Sequence, residues 1–96
     1  MDQVYIPNAF TPNGSGSREN ERLSVYSNIL KEGRFLIFNQ WGQKIFEANT
    51  ISDMKSGWDG TYKGKQQPVG VYIFVGRFTL TNGSVIDKKG SINLVR

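Results

Sequence analysis

The 96-residue sequence contains no cysteine and no histidine, and these two absences remove most of the common catalytic repertoire. Without thiols there is no cysteine nucleophile, no disulfide framework and no thiolate zinc site. Without imidazole the usual general base near neutral pH and the commonest metal ligand are missing, so a Ser-His-Asp site cannot form. Cysteine usage leaves the compartment open, because exported and cytosolic bacterial proteins alike can lack it. Acidic residues number only eight, and no spacing singles out two that would sit about 5–10 Å apart as a glycosidase pair does. No apolar run approaches the roughly 20 residues of a membrane span, so no membrane insertion of its own is expected. The N-terminal MDQVYIPNAF lacks the charged leader and apolar stretch of a signal peptide. Helical periodicity is missing too: no segment sustains apolar residues at i, i+3, i+4 and i+7 over three turns.

What remains is short runs of β-branched and aromatic residues separated by turn residues, the pattern of an all-β chain. The length suits one domain, and a core of this size must use most of its six Phe, four Tyr and two Trp. Strands are expected at Val4–Pro7, Leu23–Tyr26, Arg34–Asn39, Lys44–Glu47, Val69–Leu80 and from Val85 to the end. In Arg34–Asn39, Phe35 and Ile37 share one face and Leu36 and Phe38 the other, so this strand is expected at the centre of a sheet. In Val69–Leu80, Tyr72, Phe74, Phe78 and Leu80 form one face, and Val71, Ile73 and Val75 the other until Arg77 and Thr79 turn it polar. In the final strand, Ile92 and Leu94 should face inward. Asn82-Gly83 is the strongest hairpin signal, and the turn carrying Trp41 needs Gly42 for a positive φ. Residues 48–57 have room for one helical turn around Ser52–Lys55. Six or seven short strands with turns every 8–12 residues predict an immunoglobulin-like β-sandwich of about seven antiparallel strands, with a small barrel as the alternative.

The net charge of +4, from 12 basic against 8 acidic residues, is spread in small groups. No basic arm points to nucleic acid. The glycines at 57, 60, 64, 70 and 76 fit neither the P-loop nor the dinucleotide fingerprint, because they lead into a strand rather than a helix N-terminus. Gly57, Gly60 and Gly64 read as turn residues, Pro68 stiffens the start of the long strand, and Gly70 permits close backbone approach. Trp58 is expected to plug one end of the sandwich, and Asp59 to accept N–H bonds from the turn it begins. The competing reading is a sugar-stacking platform made of Trp41, Trp58 and neighbouring tyrosines. Calcium is the one cofactor the residues suggest, through a loop at Pro12-Asn13-Gly14-Ser15-Gly16 with Asn13, Asn20 and Glu21 as ligands. Ser15 stands where an acidic ligand is wanted. No other cofactor is expected.

Three motifs in order carry a family resemblance. VYIPNAFTPNGSG, FLIFNQWGQKIFE, and GWDGTYKGKQQPVGVYIF leading to KKGSINLVR together resemble the gliding motility-associated C-terminal domain, the type B sorting domain of the type IX secretion system of Bacteroidetes. The W-D-G…P-x-G-V-Y element, with Trp58, Asp59, Gly60, Pro68, Gly70 and Tyr72, is similar also to immunoglobulin-like domains of flagellar hook-capping proteins. One departure stands out: the family pattern PNGDGxND reads PNGSGSRENE here. The resemblance implies a single C-terminal sorting domain over residues 1–96, a fragment of a larger exported protein, and not an enzyme. It implies an N-terminally fused cargo, recognition by the outer-membrane translocon with a dedicated outer-membrane partner protein, and a route through the periplasm to the cell surface or medium. The candidate recognition residues are Lys88, Lys89 and Gly90 in the last hairpin and Leu94, Val95 and Arg96 at the terminus. The alternative is a carbohydrate- or matrix-binding immunoglobulin-like module of a surface adhesin.

Overall fold

Alternating residues of the long apolar run lie on opposite faces of a strand, and the computed structural model, which describes residues 4–11 and 22–95, buries one of those faces. Strand β6 (Gly70–Leu80) inserts Tyr72, Phe74, Phe78 and Leu80 into the core and leaves Val71, Ile73 and Val75 exposed. Strand β2 (Leu30–Phe38) pairs antiparallel with β6 on one side and with β3 (Lys44–Ala48) on the other. This is the interior position that its two apolar faces predict. It begins four residues earlier than expected because Leu30 and Glu32 keep pairing with Leu80 and Thr79 across an irregularity in register. Strand β7 (Val85–Leu94) returns from β6 through the Asn82-Gly83 hairpin, with Gly83 at φ 88° and the Asn82 side chain accepting from the Ser84 N–H.

Strand β1 is Ala9–Phe10, and it pairs parallel with β7, Ala9 opposite Asn93 and Phe10 opposite Leu94. The expectation of antiparallel pairing throughout fails at this pair alone. No turn joins β1 to β7, so nothing local imposes the hairpin direction. The sheet order is β1-β7-β6-β2-β3.

The buried face is covered by a layer of short pieces. These are helix α1 (Ile51–Ser56), the hairpin of β4 (Thr61–Tyr62) and β5 (Lys65–Gln66), and two extended segments contributing Val4, Leu23 and Val25 to the same core as Met54 and Trp58. The arrangement is all-β and sandwich-like. Val4–Pro7 and Leu23–Tyr26 are not the continuous strands expected of them. Their backbones divide between partners: Tyr5 bridges Tyr26, Leu23 bridges Trp58, and the Val25 N–H donates to the Met54 carbonyl. No single neighbour is long enough to extend either ladder. The helical turn expected within 48–57 is α1, started by Thr50, whose hydroxyl accepts from the Asp53 N–H at 3.0 Å.

Gly57 ends α1 at φ 76° and ψ 179°, a region open in practice only to glycine. An added Cβ there would lie 2.6 Å from the Leu23 carbonyl oxygen. The close approach lets Leu23 and Trp58 exchange backbone hydrogen bonds of 2.8 and 3.0 Å. Gly57→Ala should therefore lower unfolding free energy by about 2–4 kcal/mol, read as a shifted urea midpoint at unchanged slope; an unshifted midpoint would contradict this.

Candidate functional site

The loop from Gly57 to Tyr72 is built around Trp58, which is only 1% exposed. Its ring packs 5.3 Å from Phe10 and 5.2 Å from Tyr72, centroid to centroid. Its indole N–H donates to the Thr61 carbonyl at 2.8 Å, so the polar end of a buried ring is satisfied. Asp59 Oδ1 accepts from the Thr61 N–H at 3.0 Å and from the Thr61 hydroxyl at 2.7 Å. Gly60 sits at φ 85° and accepts from the Gln67 N–H. The Tyr72 hydroxyl closes the loop by donating to the Pro68 carbonyl at 2.6 Å. These contacts match the plug and turn roles expected of Trp58 and Asp59. Gly70 differs: nothing lies within 4 Å of an added Cβ, so its φ of 147°, not close approach, is what asks for glycine.

Trp41 is the opposite case, 77% exposed at the tip of the β2–β3 turn. The turn beneath it is highly organised. Asn39 Oδ1 accepts from the Trp41 and Gln43 N–H groups, Asn39 Nδ2 donates to Gln43 Oε1, and Gly42 takes φ 80°. One tryptophan in the core and one in solvent cannot form a common stacking platform, which removes the sugar-binding arrangement considered for the pair.

The six recognition candidates are spread over β7. Gly90 stands under Phe74, whose ring carbon would be 3.0 Å from an added Cβ. Leu94 is buried in the core, so its side chain is not on offer to a partner. Lys88 is half-buried on the strand face that carries Ile92 and Leu94, whereas Lys89 points to the outer face beside Val75. The two lysines therefore do not form one patch. Val95 is exposed, and Arg96 lies outside the described residues.

The backbone of β7 supplies what the side-chain reading missed. Asn93 and Val95 donate their N–H groups to Asn8 and Phe10 on the β1 side. By strand alternation, Val85, Asp87, Lys89 and Ser91 direct their backbone groups to that same edge. Among the described residues, no strand covers the edge before Asn93. The Asn-Gly hairpin marked the existence of this strand, but nothing local marked which of its edges would be open.

Among the described residues, two carboxyl groups are displaced from their ordinary values. Lys44 and Asn49, joined by Arg34, hold Glu47 down at about 2. Partial burial pushes Asp59 up, but the Thr61 hydrogen bonds and the Arg22 charge outweigh it and the net displacement is downward. Among the described residues, no three acidic side chains gather as a metal site. The calcium ligands considered, Asn13, Asn20 and Glu21, lie outside the described residues.

The geometry defines a small all-β, sandwich-like domain with one packed sheet face, one exposed face and an open edge. The chain belongs to the CHU_C type IX secretion signal domain family, whose family model matches residues 4–94. The resemblance drawn from the three motifs is thus borne out, and the family is one of secretion signals rather than enzymes. Among solved structures, the crystal structure of CopC from Methylosinus trichosporium OB3b is similar, with a TM-score of 0.59 and 10% identity over 98% of this chain and 89% of that one. At that identity the likeness is one of fold. No curated protein matches the chain. A type IX signal domain implies export, to the surface or the medium, and no helix among the described residues is long and apolar enough to cross a membrane.

Because both displaced carboxyls are lowered on folding, the stability they contribute is present above their ordinary values of 4.5 and 3.8. It is lost as pH falls through their folded values. A series of urea midpoints from pH 6 to about pH 2 should fall with acid, and Glu47→Gln with Asp59→Asn should flatten that fall; parallel acid limbs would contradict the assignment.

Proposed function

We propose that the folded domain is the signal by which the type IX machinery recognises an attached cargo. The domain emerges into the periplasm, folds, and is bound by the outer-membrane translocon together with a dedicated outer-membrane partner protein. The cargo fused to its N-terminus is then carried to the cell surface. The observation that carries this reading is the family match across residues 4–94, which spans the core from Val4 to Leu94.

Strand β7 is the element proposed to be read. Its Ile92 and Leu94 side chains belong to the core, so the strand is in place only when the domain is folded. Its open edge offers backbone donors and acceptors to an added strand, with Lys89 beside it and Val95 at its end. Truncation of residues 88–96 would remove Ile92 and Leu94 from the core and so confuse loss of signal with loss of fold. The carbohydrate- or matrix-binding alternative draws no support from a lone exposed Trp41.

A fluorescent protein carrying an inner-membrane export signal and this domain at its C-terminus should reach the surface in a host with the type IX system and a matched partner. It should stay inside an otherwise identical host without the system. Delivery in both hosts, or in neither, would overturn the reading. Ser91→Pro removes an N–H that faces the open edge and spares the pairing with β6. It should lower surface delivery about tenfold while the purified domain keeps its cooperative melt; full delivery would show that the edge is not what is read.

A further inference from the structure

The outer face of the sheet divides into two halves of different chemistry. At one end Arg34 lies opposite Arg77, and both are ion-paired, Arg34 at 3.4 Å with Glu47, which it shares with Lys44, and Arg77 at 3.2 Å with Asp87. At the other end the cross-strand neighbours are apolar: Phe38 beside Ile73 and Leu36 beside Val75, continued by Val71. Val71, Ile73 and Val75 are 53%, 43% and 42% exposed. Lys89, next to Val75, makes no ion pair among the described residues.

Trp41 continues this apolar half. A groove of about 60 Å³ separates its turn from the start of β6 and is lined by Asn39, Trp41, Pro68, Val69 and Val71. The hydrogen bonds of Asn39 hold the turn that presents the exposed indole. The indole is presented by a hydrogen-bonded turn, and tryptophan is among the residues most often found to dominate interfaces. Contiguous exposed apolar area of this kind marks an interaction surface.

We propose that this half of the outer face docks a folded protein partner that presents an apolar surface with a carboxylate opposite Lys89. A small side chain of that partner fills the groove beside Trp41. Charge complementarity selects this occupant: Lys89, which makes no ion pair among the described residues, adjoins the apolar rows, and the chain carries +4 overall. A second copy stacked with its apolar half on this one about a two-fold axis near Lys89 would set the two Lys89 ammonium groups against each other. An anionic membrane would meet the Glu47 and Asp87 carboxylates as well as the lysines. The proposal rests on the secretion-signal reading, adding to it a second contact on a different surface from the β7 edge.

The test uses the same reporter fusion in the type IX host. Trp41→Ala, the pair Ile73→Thr with Val75→Thr, and Lys89→Glu should each reduce surface delivery, the first two by about tenfold or more. The purified variants should melt cooperatively near wild type, since none of these side chains is in the core. A benzophenone amino acid in place of Val71 should form, on irradiation of exporting cells, one protein adduct that Lys89→Glu suppresses. Three results would overturn the proposal while wild-type export still supports the secretion reading: Trp41→Ala delivered as well as wild type, sedimentation showing a wild-type dimer that Trp41→Ala dissolves, or flotation with 3:1 phosphatidylcholine–phosphatidylglycerol vesicles that depends on Trp41. Absence of wild-type export would overturn both readings together.

Discussion

Burial of Trp58 is the interaction on which the rest of the structure depends. A chain of 96 residues has little core to spend, and one large ring contributes on the order of 4–6 kcal/mol when removed from water. Here the ring does more than fill space. It rests on Phe10 of β1 and Tyr72 of β6, its backbone bridges Leu23, and its indole N–H holds Thr61. It thereby ties the covering layer to the sheet through side-chain packing across the core. The glycine before it and the aspartate after it act in its support, one allowing the Leu23 backbone to approach and the other closing the turn.

That economy has a consequence for the surface. The covering layer protects one face of the five-stranded sheet, and the other face stays in solvent with its valines and isoleucine uncovered. Strand β7 has a double character for a related reason. It contributes Ile92 and Leu94 to the core but pairs with β1 only at Asn93 and Leu94, leaving most of its outer edge open among the described residues. On the proposed reading this couples recognition to folding, because an unfolded chain presents neither an ordered edge nor a flat apolar face. The two surfaces lie on different sides of the same strands, so two partners, or two parts of one, could engage them without competing.

The legible part of the fold was its local chemistry. Tyr72, Phe74, Phe78 and Leu80 announced a half-buried strand by spacing alone, Asn82-Gly83 announced its hairpin, and the doubly apolar Phe35–Phe38 run announced an interior position. Val4–Pro7 and Leu23–Tyr26 look equally strand-like, yet among the described residues the first bridges only at Tyr5 and the second divides its backbone among Tyr5, Met54 and Trp58, and a single-sequence pattern says nothing about how long a neighbour will be. Of the site, the supporting roles of Trp58 and Asp59 were readable from their glycine-rich setting. The separation of Lys88 from Lys89 follows from the period of a strand, but which of the two faces would be buried depended on the core.

Sequence by itself determined the all-β class, the turn positions and the absence of thiol and imidazole chemistry, because each rests on residue identity or local spacing, and it determined the family through three motifs in order along the chain. Tertiary structure alone decided that Trp41 is exposed, that β1 runs parallel to β7, and that the outer edge of β7 is open among the described residues. The β1–β7 pairing joins the two ends of the chain, Ala9 with Asn93 and Phe10 with Leu94. These outcomes are settled by which surfaces close over the core together, a competition among distant pieces of chain that no local pattern encodes.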